Sequence, residues 1–400
     1  MHNLFFNTEN NMELRSKMPG VGTTIFSIMS RLATEHAAIN LGQGFPDFEP
    51  HPLLVDEVNK AMKAGHNQYP PMPGIPSLRA AIREKVKTMY GHDYDMDSEV
   101  TVMSGASEGL MSAILALVHP GDEVIVIEPF YDLYIPAITL AGATPVIVAM
   151  QAPDESHSTY RVDWQRVRDA ITPRTRALIL NFPHNPTGIN LEESDLDTLE
   201  QIVNDTGILL ISDEVYEHVV FEGAQHQSLS RRESLAARSV VISSFGKTYH
   251  ITGWKIGYCC APAALTAEIR KVHQFNAFTV VTPMQHALAA FMANPEHHLG
   301  LAGFYQQKRD HLHNGLTRTR FKPVKSAATF FLLADYSEIS NMPEIEFCKW
   351  LVAEHGVGVI PMSAFYRDPG APEANHGLVR FCFAKREATL DSAIERLQNL

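Results

Sequence analysis

Between about residues 100 and 260, short apolar, β-branched runs alternate with longer stretches whose apolar residues recur every three or four positions. The short runs fall at 100–103, 124–127, 145–148, 177–180, 208–211 and 240–242. Runs that stay apolar, rather than alternating with polar residues, mark strands buried on both faces, and strands separated by helices pair in parallel. The stretch 107–118, with Leu110, Met111, Ile114, Leu115 and Leu117 on its apolar face, typifies the helical segments. The pattern predicts an α/β fold, a mostly parallel sheet sandwiched by helices.

From about residue 300 the pattern changes. A helical stretch rich in Gln, Lys, Arg and His (304–319) precedes strand-like 329–333, helical 344–355 and strand-like 379–383, the order expected of a smaller α+β domain. The Gly- and Pro-rich segments 41–51 and 67–77 read as loops. The expected division is an N-terminal segment (1–50) that joins the small domain and covers the site, a large domain (51–295) and a small C-terminal domain (296–400). Four hundred residues suit one large and one smaller domain. No internal repeat or low-complexity tract is evident.

Composition narrows the function classes. A formal net charge of −12 argues against nucleic acid or an anionic membrane as main partner. No apolar run approaches the ~20 residues of a membrane span. Residues 1–11 lack the basic start and apolar stretch of a secretory signal and read as a poorly ordered leader. The four cysteines (Cys259, Cys260, Cys348, Cys382) sit in apolar contexts with no CxxC pair, so reduced buried thiols and a cytoplasmic location are expected, and no spacing points to a metal.

The chemistry concentrates in residues 243–258, directly after the run 239–242. Lys247 follows a buried strand end, where α/β proteins bind ligands. Partial desolvation there lowers an amine's pKa and makes it a nucleophile toward a carbonyl. Ser244, nearby backbone N–H groups and Lys255 suit a phosphate. An aldehyde bearing a phosphate satisfies both halves, and pyridoxal 5′-phosphate is such a molecule. A nucleotide P-loop is excluded despite Gly246-Lys247-Thr248, because the required upstream glycine is Val241.

Other strand ends carry suitable groups. Asn181 and Asn185 follow one strand, Asp213 and Tyr216 another, and Ala106 and Ser107 open a helix after a third, where free N–H groups favour a phosphate. Singly, each has a plain structural reading as turn, cap or helix start. Together they match a pyridine ring that acts as an electron sink: a carboxylate (Asp213) for its nitrogen, and donors (Asn185, Tyr216) for its phenolic oxygen. Tyr131 follows a further strand end; residue type alone makes it a core aromatic, and Arg380, in an apolar run, a structural ion-pair partner.

Asn185-Pro186-Thr187-Gly188, Ser212-Asp213-Glu214-Val215-Tyr216, Ser244-Phe245-Gly246-Lys247 and Gly253-Trp254-Lys255 stand in an order and approximate spacing that resemble the class I aminotransferases of the fold-type I pyridoxal-phosphate enzymes. The likeness runs from Leu41 to Ala384. Gln43-Gly44-Phe45-Pro46-Asp47, Asn67-Gln68-Tyr69 and Ser243-Ser244-Phe245-Gly246-Lys247-Thr248 are most similar to the methionine and kynurenine (glutamine-type) aminotransferase branch. The resemblance implies Lys247 as the Schiff-base lysine and Asp213 as partner of the ring nitrogen. It implies Asn185 and Tyr216 at the phenolic oxygen, Tyr131 stacked on the ring, and Asn181 supporting the network at the ring's edge. Ala106, Ser107, Ser244 and Lys255 would hold the phosphate, with Tyr69 reaching in from a second subunit of a homodimer. Lys255 replaces the arginine common in the class, exchanging a bidentate fork for a point charge. Arg380 becomes the clamp for the substrate α-carboxylate, with the Gly44 backbone close by.

The implied activity is ping-pong transfer of an amino group to a 2-oxo acid. The pocket candidates Ile25, Phe26, Tyr69 and, from the partner, Phe278 are apolar, and no second arginine motif of the kind that selects dicarboxylates is present. Methionine, aromatic residues, leucine, glutamine or kynurenine therefore fit better than aspartate. Two alternatives remain at this level: β-elimination from cysteine conjugates, and a ligand-sensing domain, which would need an appended basic DNA-binding segment.

Overall fold

The computed structural model describes residues 16–154 and 156–400; the stretch 1–11, read as a leader, lies outside them. Among these described residues thirteen strands occur in chain order: β1 (Ile39–Asn40), β2 (Val100–Met103), β3 (Glu123–Glu128), β4 (Thr144–Ala149), β5 (Thr175–Asn181), β6 (Leu209–Asp213), β7 (Ser239–Ser244), β8 (Gly257–Cys260), β9 (Lys322–Pro323), β10 (Phe331–Asp335), β11 (Val357–Gly358), β12 (Ile360–Pro361) and β13 (Leu378–Cys382). Seven of them form one sheet in the order β2-β8-β7-β6-β5-β3-β4, in which β8 alone runs antiparallel to its neighbours.

Successive residues of the central strands enter different cores. Val124, Val126, Ala177, Ile179, Val240 and Ile242 pack on one face with the helix Gly105–Leu117, whereas Ile125, Ile127, Leu178, Leu180 and Val241 pack on the other. Burial on both faces is why these segments read as unbroken apolar runs. Because the crossovers are parallel, β2, β3, β5, β6 and β7 all end at one edge of the sheet, and β8 begins there.

The C-terminal part forms a four-stranded antiparallel sheet, β12-β13-β10-β9, packed with the helices Leu301–Leu316, Glu344–His355 and Glu387–Leu397. The strand expected at 329–333 begins two residues later. Thr329 has φ +66°, a left-handed kink that breaks the extended run before Phe331. Residues 25–40 pack on this part: β1 pairs with β11, and the helix Ile25–Glu35 packs on Glu344–His355. The chain then crosses back, so that residues 42–45 pass between the two units over the strand ends. The four cysteines are buried and free. No helix among the described residues is long and apolar enough to cross a membrane.

Candidate active site

The edge where the parallel strands end holds a cavity of ≈ 170 Å³. Its walls include Ala106, Ser107, Tyr131, Asn181, Asn185, Asp213, Tyr216, Ser244, Lys247 and Lys255. A second cavity of ≈ 370 Å³ shares Tyr131, Asn185, Tyr216 and Lys247 with the first and adds Phe26, Gly44 and Arg380. The residues read from the sequence thus converge from both units, with three exceptions. Tyr69 (82% exposed) and Phe278 (43%) line neither cavity and instead pack edge-on to each other at 5.3 Å on the surface. Ile25 also lines neither, packing against the core instead.

Lys247 lies in the single turn Phe245–Thr248 that follows β7. Its Nζ donates to the Gly44 carbonyl at 2.9 Å and stands 5.6 Å from the Tyr216 ring centroid and 5.3 Å from that of Phe330. Burial among these groups brings its pKa down to about 8, with the Arg380 charge contributing. Asp213 ends β6 and is buried; Tyr134 donates to its Oδ2 at 2.8 Å, while Oδ1 is buried with no hydrogen-bond partner. Burial pushes its pKa up to about 6. The Asn181 side chain joins β5 to β6 by donating to the Asp213 carbonyl (3.2 Å), and its Oδ1 accepts the Asn185 N–H (3.0 Å), which fixes the Asn185 loop.

The far wall is built for an anion. Gly105 has φ +77° and opens the helix Gly105–Leu117, leaving the first-turn N–H groups free. A Cβ at Gly105 would lie 3.5 Å from Lys255 Nζ, so the ammonium sits against that helix start. A Cβ at Gly257 would meet the Ser243 carbonyl at 2.5 Å and the Ala106 nitrogen at 3.0 Å, so only glycine lets β8 approach closely enough to deliver Lys255. Lys255 itself has φ +53°.

Arg380 occupies the middle of β13, paired with Leu333 and Ile360, and is only 1% exposed. The ion pair that its residue type and apolar setting suggest is not formed: among the described residues no carboxylate lies within salt-bridge distance. It donates to Asn185 Oδ1 and to the Gly42 carbonyl (3.1 Å), its Nε is unpartnered, and its guanidinium stacks 3.8 Å from the Phe331 centroid. Burial lowers its pKa to about 10, leaving it charged at neutral pH.

Tyr134 and Phe331 were not legible as site residues. The first has no motif of its own, and the second reads as core until the fold brings it to Arg380. His184, beside the Asn185 loop, is a core histidine bonded to Thr187 (2.7 Å).

These groups fit pyridoxal 5′-phosphate on three separate grounds. An orphaned buried carboxylate oxygen suits a protonated ring nitrogen, a helix start with an ammonium suits a phosphate, and a desolvated amine suits an aldehyde.

Comparison with known proteins agrees with that fit. The sequence model described as aminotransferase class I and II matches residues 37–397. The methionine aminotransferase of Escherichia coli (strain K12) is 49% identical over 98% of this chain and 100% of its own length, and a solved structure identified with that function superposes with a TM-score of 0.93, covering 97% of this chain and 100% of that one. A probable N-succinyldiaminopimelate aminotransferase of Mycobacterium tuberculosis is 43% identical (96% of this chain, 98% of that protein). The kynurenine–oxoglutarate transaminase of Dictyostelium discoideum is 34% identical (95% and 94%). With identities of this size over nearly its whole length, the chain belongs to the class I and II aminotransferases, enzymes that move an amino group between an amino acid and a 2-oxo acid with pyridoxal 5′-phosphate as cofactor.

Proposed function

We propose that this aminotransferase acts on apolar and uncharged amino acids — methionine-like, aromatic, leucine, glutamine or kynurenine — as a homodimer whose subunits complete each other's sites. The observation that carries the substrate class is the composition of the second cavity. Its lining offers one buried guanidinium without an ion-pair partner, Arg380, beside Lys247; Phe26, Phe45 and Phe331 supply its apolar part, and no further cation lines it among the described residues. An α-carboxylate fills the need of Arg380, and nothing remains to hold a second one. Relatives named for methionine and kynurenine support the same class. The N-succinyldiaminopimelate relative supplies the rival, a substrate with further carboxylates.

In this reading the cofactor, when bound, supplies an aldehyde for an amine to bond and a ring that withdraws electrons from the adjoining carbon. Lys247 Nζ is the amine that would bond that aldehyde, and the same nitrogen would move the proton at the substrate Cα. Asp213 holds the ring nitrogen, Asn185 and Tyr216 the phenolic oxygen, and Tyr131 the ring face. The N–H groups of Ala106 and Ser107, with Ser244 and Lys255, hold the phosphate. Gly44 and Arg380 orient the substrate carboxylate. Tyr69 and Phe278 serve the partner's site. Their exposure, together with Phe275 (87% exposed) and Val281 (52%), makes an apolar patch that burial against a second copy would explain.

A half-reaction spectral titration of the cofactor-loaded enzyme tests the substrate class. Methionine, phenylalanine, leucine, glutamine and kynurenine are expected to change the cofactor absorption and release their 2-oxo acids. Aspartate or N-succinyldiaminopimelate as best donor would overturn it. Pyruvate released from a cysteine conjugate without added oxo acid would show β-elimination instead.

Asp213 gives a pH test independent of turnover. Its folded pKa of about 6 exceeds the ordinary value of 3.8, so the folded chain binds its proton more tightly than the unfolded chain. The cofactor-free protein therefore loses up to about 3 kcal/mol at this residue as pH rises from 4 through 6. Urea unfolding of the cofactor-free parent and of Asp213→Asn at pH 4.5 and 7 should show the parent losing stability relative to the variant. Cofactor binding should offset the loss, so its stabilising effect should grow over the same interval.

A further inference from the structure

The loop after β3 carries a side chain that neither the cofactor nor the α-carboxylate accounts for. Phe130 is buried and donates its N–H to the Phe365 carbonyl (2.8 Å), and Tyr134 is buried against Asp213. Pinned on both sides, the loop places Tyr131 and Asp132 at the second cavity, where Asp132 lines the wall with Thr24, Phe26, Gln43, Phe45 and Arg380. Among the described residues Asp132 is the one acidic side chain in that lining, and Lys247 and Arg380 are the only cations. It makes no hydrogen bond or ion pair with another side chain among the described residues. Burial raises its pKa and the Arg380 charge works against that rise, so carboxylate and guanidinium sense each other across the cavity.

Both cations are committed in the reading above, one to the cofactor and the α-proton, the other to the α-carboxylate. A substrate side chain entering the cavity therefore meets a half-buried carboxylate with no cation of its own. A terminal carboxylate is repelled there, with no counter-ion to relieve it, whereas a terminal N–H finds an acceptor. An apolar terminus is indifferent to the charge and is received by Phe26, Phe45 and Phe331.

We infer that Asp132 is a specificity-determining residue, which rejects substrates ending in a second carboxylate and accepts a hydrogen bond from those ending in an amide or amine. The inference rests on the reading of this cavity as the substrate side-chain pocket. It extends to both half-reactions, since amino acid and 2-oxo acid occupy the same place, and so it predicts that dicarboxylic oxo acids are poor acceptors.

Norvaline, glutamine and glutamate test it, because they share a five-carbon chain and differ only at its end. In half-reactions of the cofactor-loaded enzyme, Asp132→Asn should raise the glutamate-to-norvaline ratio of kcat/KM roughly tenfold. Asp132→Ala should raise that ratio likewise and lower the glutamine-to-norvaline ratio several-fold. Competitive inhibition by glutarate relative to pentanoate, five-carbon acids that cannot react, should strengthen in both variants. Ratios unchanged in both variants, or all donors and inhibitors weakened alike, would overturn the inference and leave Asp132 a structural residue. Failure of the parent enzyme to respond to norvaline or methionine at all would instead overturn the substrate reading beneath it.

Discussion

Replacing Lys247 by Met is expected to abolish turnover and yet leave the cofactor-free chain more stable. The proton transfer assigned to Nζ contributes about 10²–10⁴-fold by itself, and losing the bond to the cofactor adds to that. The amine sits in surroundings that bring its pKa to about 8, against 10.5 in water. The sign for a cation is the reverse of that for Asp213. A lowered folded pKa means that the charged form costs stability below pH 8, and the cost fades as pH rises toward 10.5. Met fills much of the same space without charge, so at pH 7 the variant should gain up to about 3 kcal/mol relative to the cofactor-free parent, and less at pH 10. Borohydride reduction supplies a readout separate from rate: it should fix cofactor to the parent chain and none to the variant. Lys247→Arg keeps the charge but offers no nucleophile at neutral pH, so it should be as inactive as the Met variant. Retention of multiple turnover by either variant, or cofactor fixed to another residue, would remove Lys247 from its assigned role.

The opposite effects on rate and stability reflect how this site was legible in the sequence at all. Parallel strands buried on both faces leave unbroken apolar runs, so six strands of the large sheet and the polar residues at their ends could be read directly. Lys247, Asp213 and Asn185 stood out because hydrophilic groups directly after such runs must lie at one edge. Strand β8 escaped, because Gly257-Tyr258-Cys259-Cys260 is neither β-branched nor alternating. Its antiparallel placement between β2 and β7 depends on residues distant in sequence. That strand nonetheless sets Lys255 against the helix start, so the phosphate end of the site was visible as residues and not as geometry. Tyr134, Phe331 and Asp132 were hidden for a related reason. Their importance comes from loop paths and from packing between the two units, and neither leaves a periodic trace. Arg380 shows the limit in the other direction: an arginine in an apolar strand predicts an ion pair on general grounds, and only the fold shows that no carboxylate among the described residues pairs with it.

That missing carboxylate leads to a test of Arg380. Of the five N–H groups of its guanidinium, one from Nη1 goes to Asn185 and one from Nη2 to Gly42, while Nε has no partner. Three remain, enough for a bidentate grip on a carboxylate. With a pKa of about 10 the group is charged throughout the neutral range, so its contribution should not vary with pH there. Losing two charge-assisted hydrogen bonds, each about 1.5–3 kcal/mol, should lower kcat/KM by about 10²–10⁴-fold in Arg380→Gln. Arg380→Lys should recover only part of this, since an ammonium cannot form the fork. Amines that lack the carboxylate isolate the interaction. The decarboxylated analogue of methionine should react slowly with the parent enzyme and about equally slowly with both variants, because the group that Arg380 would grip is absent. A guanidinium held desolvated without a counter-ion is costly to the substrate-free state, and the cost falls when the α-carboxylate arrives. A site arranged in this way favours amino acids over simple amines before the side-chain pocket acts. If Arg380→Gln slowed methionine and its decarboxylated analogue by the same factor, the arginine would be supporting the architecture of β13 and the clamp would have to be sought elsewhere.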